Sequence, residues 1–144
     1  MIRKAVESDV ESLCSIDTIA RVDPSRHDYI RRRVREGRCY VLTIPDESPD
    51  NERIVGYGVL TYEFYECGMI EMLMVDPNFR RDRFGSALVR HMETECRTAK
   101  LFTSTNESNA PMLGLLTSLG YQPSGIIQNL DAGDPELVYF KQLR

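Results

Sequence analysis

Three strand-like segments follow one another in the middle of this 144-residue chain, at residues 38–44, 53–65 and 68–75. Each consists mainly of apolar residues and includes the β-branched or aromatic side chains that strands favour. The polar insert PDESPDNE, which follows the first segment, has the composition of a hairpin loop. Strands joined by hairpins pair antiparallel, so this region predicts the antiparallel part of a β-sheet.

Helical segments lie on both sides of this region and alternate with further strands. Helices are predicted at 7–20, at 23–37, from about Phe84, and at 109–120. Strands are predicted at 2–6, 100–105, 121–130 and 136–143. Hairpins followed by helix and strand alternation predict a single-domain α/β fold over residues 1–144, with a mixed, mostly antiparallel sheet and helices on both faces.

Composition narrows the class of protein. Hydrophobic residues make up 42% of the chain and charged residues 28%, which favours a globular domain over intrinsic disorder. The net charge of -4 argues against a dedicated nucleic-acid partner, although the helix around Arg31 to Arg35 is basic. No apolar run reaches the roughly 20 residues that a membrane helix needs, and the N-terminus has no signal-peptide core. We therefore expect no membrane partner and a cytoplasmic location.

The cysteines do not suggest a metal site or a disulfide framework. Cys14, Cys39, Cys67 and Cys96 are widely spaced and form no C-x-x-C pair. Few histidines are present to complete a zinc site with them. We expect reduced, mostly buried thiols and no bound metal.

The stretch VDPNFRRDRFGSALVRH, residues 75–91, combines a proline stop, several arginines and a run of small residues at a predicted helix start. A helix start presents unpaired N–H groups and a partial positive charge, which suit a phosphate group. The small residues Gly85, Ser86 and Ala87 would let a ligand approach the backbone. The alternative is that Asp82 or Ser86 caps the helix and the arginines are solvent-exposed.

Two motifs, one within this stretch and one further along the chain, resemble those of the GNAT superfamily of N-acetyltransferases. The first, VDPNFRRDRFGSAL, is similar to the acetyl-CoA signature V-x-P-x-[FYW]-[QR]-x-x-G-x-[GA]-x-x-L, with matches at Val75, Pro77, Phe79, Arg80, Gly85 and Leu88. The second, NESNAPMLGLLTSLGY, resembles the superfamily's Asn followed by a helix that ends in L-G-[FY], with matches at Asn109, Leu119, Gly120 and Tyr121. The order of elements also agrees along the chain.

The resemblance implies a GNAT-like fold in which the fourth and fifth strands splay apart to admit acetyl-CoA. It implies that backbone groups of Leu73, Met74 and Val75 bind the pantetheine arm, and that Asn109 binds near the pantetheine amides. It further implies a pyrophosphate site at the backbone amides of Arg80, Arg81, Asp82, Arg83, Phe84, Gly85, Ser86 and Ala87.

The activity implied is transfer of an acetyl group from acetyl-CoA to a primary amine of a small molecule or peptide, by direct attack in a ternary complex and without a metal. A homodimer is compatible with this resemblance. A non-catalytic acyl-CoA-binding regulatory module is the alternative function.

This chain departs from the family pattern at two positions. Arg83 stands where the family loop has its first glycine, so the loop must turn without glycine's conformational freedom. Arg83 is either an extra phosphate contact or solvent-exposed. Leu116 stands where the family often has a tyrosine acid. Tyr65, Tyr121 and Tyr139 are weak candidates to replace that acid.

The reaction depends more on a base than on an acid. The leaving thiol has an ordinary pKa of about 8.5, whereas an amine with a pKa of about 10.4 is mostly protonated at neutral pH. Glu71, the lone carboxylate in the strand at 68–75, is the candidate general base. The alternative is that strand alternation points Glu71 to solvent.

Two sequence features bear on the acceptor, and they point in opposite directions. The helix YIRRRVRE, residues 29–36, could favour an anionic acceptor, although its arginines would usually form a solvated face. Acidic residues near two turns would favour a cationic one. Asp131, Asp134 and Glu136, together with Glu63 and Glu66, would form an acidic mouth that attracts a cationic amine. The alternative is that they are ordinary polar turn residues.

Overall fold

The computed structural model describes residues 1–48, 51–80 and 82–144. Its strands are β1 Ile2–Lys4, β2 Cys39–Pro45, β3 Glu52–Phe64, β4 Cys67–Val75, β5 Lys100–Asn106, β6 Gln122–Ile127 and β7 Glu136–Gln142. Its α-helices are α1 Val10–Ile16, α2 Pro24–Arg35, α3 Phe84–Glu95 and α4 Ala110–Ser118, and short 3-10 helices lie at Glu7–Asp9 and Pro77–Phe79. None of the described helices is long and apolar enough to cross a membrane.

The strands form a seven-stranded sheet in the order β1-β2-β3-β4-β5-β7-β6. The pairs β1–β2, β2–β3, β5–β7 and β6–β7 are antiparallel, and β4 pairs with β5 in parallel. The predicted α/β class with a mixed, mostly antiparallel sheet is therefore confirmed. Parallel pairing requires a long crossover, and α3 lies in the connection between β4 and β5.

The chain divides into two compact units. The first, Met1–Leu60 with Met72–Met92, contains β1, β2, most of β3, the end of β4, α1, α2 and most of α3. Its core includes Leu13, Ile30, Val41 and Tyr57, which are at most 1% exposed. α2 begins where the sequence predicts, because Asp23 accepts the N–H of Ser25 at 3.0 Å.

The helix predicted over 7–20 is shorter in the structure, where α1 ends at Ile16. The fully buried side chain of Asp17 accepts the N–H groups of Ile19 and Ala20 at 2.9 and 3.1 Å. Such bonds compete with the helical pattern and favour a turn. Asp17 also accepts the Tyr57 hydroxyl at 2.5 Å, which fixes this turn on β3.

Two glycines of β3 allow α3 to lie close to the first unit's sheet. A Cβ atom added to Gly56 would lie 3.1 Å from both Leu88 Cδ1 and Met74 O, and one added to Gly58 would lie 2.6 Å from Met92 Cε. Leu88 and Met92 are fully buried on α3. This packing sets the position of α3 beside the end of β4.

The second unit, Thr61–Glu71 with Glu93–Arg144, contains the start of β4, then β5, β7, β6 and α4. Parallel pairing of β4 with β5 covers Gly68–Ile70 and Leu101–Thr103, although both strands continue beyond these residues. The antiparallel pairing of β5 with β7 continues to Asn106. The β4–β5 pairing therefore ends within the length of both strands, consistent with the predicted splay.

Candidate functional site

The loop that follows β4 is organised by the buried side chain of Asp76. Its carboxylate accepts the N–H of Asn78 at 3.0 Å and lies 3.8 Å from Arg53 Nη2. Its own N–H donates to Val55 O at 2.8 Å. Pro77 then occupies the first turn of the 3-10 helix, where its missing N–H costs nothing. These contacts end β4 and turn the chain towards α3.

Aromatic and arginine side chains line this loop. The Phe79 and Phe84 rings lie 6.2 Å apart between centroids, and the Arg53 guanidinium lies 5.1 Å from the Phe79 ring. Arg80 donates from Nε to Val75 O at 3.2 Å, which holds its side chain at the end of β4. Arg81, predicted as a phosphate contact, lies outside the described residues.

Arg83 adopts the left-handed backbone conformation that glycine accommodates without strain. Its φ is 62°, a value that side chains other than asparagine and aspartate rarely take. The loop therefore keeps its turn without a glycine, at a cost in backbone strain. The Arg83 side chain is exposed.

The start of α3 leaves backbone N–H groups without helical acceptors. The first helical bond runs from Ala87 N–H to Arg83 O at 3.2 Å, so the amides of Phe84, Gly85 and Ser86 precede it. Arg83 occupies the N-cap position, and its guanidinium has no acceptor atom with which to cap them. An anion is the group that such a helix start binds best.

Glu71 is not simply directed to solvent. Its side chain is half-buried on β4, and its Oε2 accepts a hydrogen bond of 2.9 Å from Thr61 Oγ1 on β3. Thr61 is only 2% exposed, so the donor is fixed within the protein. Leu73, Met74 and Val75 follow on the same strand and are half-buried.

Asn109 lies in the second unit as the N-cap of α4. Its Oδ1 accepts the Met112 N–H at 3.2 Å, and the side chain is exposed. Its Nδ2 donates to no described residue. The amide therefore has one atom committed to the helix and one donor available for a ligand.

The tyrosine candidates for a general acid differ in their surroundings. Tyr121 is 4% exposed and donates to Glu93 Oε2 at 2.8 Å. Burial, and then the hydrogen bond to Glu93, raise the pKa of Tyr121 well above its ordinary value. Tyr65 is 87% exposed in the β3–β4 turn. Leu116, at the family's tyrosine position, is fully buried in the core.

The turn carboxylates hold one loop in place. Asn106 donates to Asp131 at 2.9 Å, Ser108 donates to Asp134 from both its N–H and its hydroxyl, and Ser104 donates to Glu136 at 2.7 Å. These bonds attach the β6–β7 loop to the end of β5 and the residues before α4. Sequence reasoning missed this role, since the partners lie 25 to 32 positions away along the chain.

All four cysteines are free thiols. Burial raises the pKa of Cys39 to about 12, as expected for a thiol packed as a small apolar residue. Within residues 1–48, 51–80 and 82–144, no group of three or more His, Cys, Asp or Glu side chains is arranged to hold a metal ion.

Comparisons with known proteins agree with this architecture. Residues 8–121 match the model of the Acetyltransferase (GNAT) family. A GNAT-family acetyltransferase from Bacillus cereus ATCC 10987 is 34% identical, with a TM-score of 0.87 over 99% of this chain and 96% of that chain. No sequence among the curated proteins matches this chain.

Two more distant structures share the fold. The ribosomal-protein-S18-alanine N-acetyltransferase from Escherichia coli is 18% identical, with a TM-score of 0.80 over 99% of this chain and 93% of that chain. An aminoglycoside 6'-N-acetyltransferase complexed with coenzyme A is 13% identical, with a TM-score of 0.79 over 100% of this chain and 97% of that chain.

Proposed function

Because this chain belongs to the GNAT acetyltransferase family, we propose that it transfers an acetyl group from acetyl-CoA to a primary amine of a small molecule or peptide. Residues 1–144 act as one N-acetyltransferase domain in this proposal. Amine and acetyl-CoA are bound together, and the amine attacks the thioester directly.

The observation that carries the proposal is the start of α3 in the acetyl-CoA motif, where backbone amides precede the first helical hydrogen bond. Amides of Phe84, Gly85 and Ser86 precede the first helical bond, and Arg83 cannot cap them. The CoA pyrophosphate is a doubly charged anion of the kind that such amides bind. Gly85 carries no side chain to hinder its approach. Arg80, whose Nε donates to Val75 O at the end of β4, adds positive charge to the loop before α3.

Glu71 is the general base of the proposed reaction. It takes a proton from the substrate ammonium, directly or through a water molecule, and so produces the nucleophilic amine. The amine nitrogen then bonds to the carbonyl carbon, the carbon–sulfur bond breaks, and CoA leaves as a thiolate. The new amide nitrogen gives up its remaining extra proton to solvent, and the thiolate takes up a proton from solvent. Since a thiol has an ordinary pKa of about 8.5, the thiolate leaves without much help from an acid. Leu116 in place of tyrosine is therefore compatible with catalysis.

The acceptor is proposed only as a class. The distant relatives named above act on a ribosomal-protein alanine and an aminoglycoside, both of which present amines, but their likeness shows the fold alone. The carboxylates Asp131, Asp134 and Glu136 already accept hydrogen bonds within the second unit. If the acceptor is cationic, these three carboxylates would attract it from positions that their hydrogen bonds already fix.

Two measurements test the function. Acetyl-CoA should raise the melting temperature and bind by calorimetry, and absence of both would contradict the proposal. Release of free thiol from acetyl-CoA should then be measured with polyamines, amino acids, aminoglycosides and peptides. Tight binding without thiol release for any amine would favour the non-catalytic acyl-CoA-binding module.

Replacing Asn109 separates its capping role from its proposed role in ligand binding. Asn109→Asp keeps a capping oxygen but loses the Nδ2 donor, so we expect unchanged stability and acetyl-CoA affinity lower by about five- to tenfold, the value of one hydrogen bond. Asn109→Ala should also lose about 1 kcal/mol of unfolding free energy. Calorimetry and urea unfolding measure the two effects. Unchanged affinity in Asn109→Asp would exclude Asn109 from the binding site.

Replacing Arg83 separates its backbone conformation from its charge. We expect Arg83→Gly to raise the unfolding free energy by about 1 kcal/mol, because glycine adopts a positive φ without strain. Acetyl-CoA affinity should fall by about threefold or more through loss of the guanidinium. Arg83→Ala is the control, since it removes the charge but keeps the strained backbone. Equal acetyl-CoA affinity in the wild type, Arg83→Gly and Arg83→Ala would show that the Arg83 side chain is solvent-exposed and does not contact the cofactor.

A further inference from the structure

Two buried threonine hydroxyls contact adjacent residues of β4. Thr61, on β3, is 2% exposed and donates to Glu71 Oε2 at 2.9 Å. Thr103, on β5, is 1% exposed and donates to Ile70 O at 3.0 Å. All four residues belong to the second unit. One hydroxyl therefore holds the carboxylate of Glu71, and the other holds the backbone immediately before it.

The position of Thr103 is notable because it forms the last pair of the parallel ladder. Thr103 is paired with Ile70, while β4 continues to Val75 and β5 to Asn106. Beyond this pair, β5 stays paired with β7. The Thr103 side chain thus adds a bond to β4 at the point where the ladder ends. Glu71, the next residue of β4, follows a backbone that is fixed in place.

Threonine is an informative choice at both positions. Valine has nearly the same shape and suits a buried strand better, since it brings no hydroxyl out of water. A buried hydroxyl is tolerated only when it is hydrogen-bonded. Each of the two threonine hydroxyls donates a hydrogen bond to β4, one to Glu71 itself and one to the residue before it. Two such contacts at one point are more than the packing of an apolar strand requires.

We propose that Thr61 and Thr103 are positioning residues that hold the Glu71 carboxylate in its reactive orientation. The inference rests on the proposed function, in which Glu71 is the general base. A base must lie within hydrogen-bonding reach of the proton that it removes. A glutamate side chain has several rotatable bonds, and a fixed donor on one oxygen restricts them. Locking of this kind is what a reactive group needs from the residues around it.

The test compares Thr61→Val, which removes the hydroxyl, with Thr61→Ser, which keeps it. We expect Thr61→Val to lower kcat by about tenfold, the value of a hydrogen bond to a charged group, with KM for acetyl-CoA unchanged. Thr61→Ser should restore kcat to within about twofold of the wild type. Thr103→Val, compared with Thr103→Ser, should show the same pattern with a smaller loss of about threefold.

A double-mutant cycle with Glu71→Gln distinguishes positioning from structural support. If Thr61 acts through the Glu71 carboxylate, Thr61→Val should lower kcat in the wild type and have little further effect in Glu71→Gln. Equal losses in both backgrounds, or no loss in either, would overturn the proposal. If Thr61→Val fails to fold, the same cycle with Thr103→Val decides the question. A wild-type kcat in Glu71→Gln alone would instead contradict the proposed base.

Discussion

Glu71→Gln is expected to lower kcat at neutral pH by about a hundredfold or more, the usual contribution of a general base. Glutamine has nearly the same size and can still accept the Thr61 hydroxyl through its amide oxygen, but it cannot take up a proton. The amine then depends on the small fraction that is already unprotonated. Because acetyl-CoA is proposed to bind through backbone amides and Asn109, its affinity should change little.

The pH dependence of Glu71→Gln provides an independent check. The defect should shrink as the pH rises towards the pKa of the amine, about 10.4 for a lysine-like substrate, because solvent then removes the proton. Initial rates of thiol release across pH measure this. Glu11→Gln, which alters an exposed carboxylate on α1, is the matched control and should retain wild-type rates. A Glu71→Gln profile equal to the wild type at every pH would remove Glu71 from the mechanism.

Met92→Ala is expected to lower the unfolding free energy by about 2 to 5 kcal/mol, because it leaves a cavity beneath α3. Met92 is fully buried, and its Cε lies 2.6 Å from the position of a Cβ atom added to Gly58. Gly58→Ala alone should also destabilise the protein by about 1 to 3 kcal/mol, since the methionine has to move away from the new methyl group.

The double variant Gly58→Ala with Met92→Ala should be more stable than the sum of the two losses predicts. The alanine methyl would occupy part of the space that the methionine leaves, so we expect a coupling of about 1 kcal/mol or more. Urea unfolding of the four proteins measures it. Strict additivity would show that Gly58 and Met92 do not share this packing. The acetyl-CoA affinity of the double variant, compared with that of the wild type, reports separately whether α3 keeps its position beside β4.

The loop that follows β4 was predictable from the sequence because its properties are local. Pro77 stops β4, small residues follow at the start of α3, and the spacing of the motif is preserved over a few residues. The substitution at Arg83 was also visible in the sequence, and it raised the question of how the turn forms without glycine. Only the structure provides the answer, since a φ of 62° is a property of the folded backbone.

The partners of Glu71 and Asp134 could not have been predicted in the same way. Thr61 is ten positions from Glu71 along the chain, and Ser108 is 26 positions from Asp134. Both threonine and serine are common in strands and turns, so neither residue type signals such a bond. The same holds for Asp17, which looked like part of a helix but ends α1 by accepting amides and the Tyr57 hydroxyl.

The sequence by itself determined the order of helices and strands, the family and the position of the turn that follows β4, because each depends on residue types at short, regular spacings. The tertiary structure alone decided where β4 and β5 stop pairing, which hydroxyl holds Glu71, and how closely α3 approaches the sheet at Gly58. Those features depend on the register between strands and on the contacts of buried side chains, and both are set only when distant parts of the chain pack together.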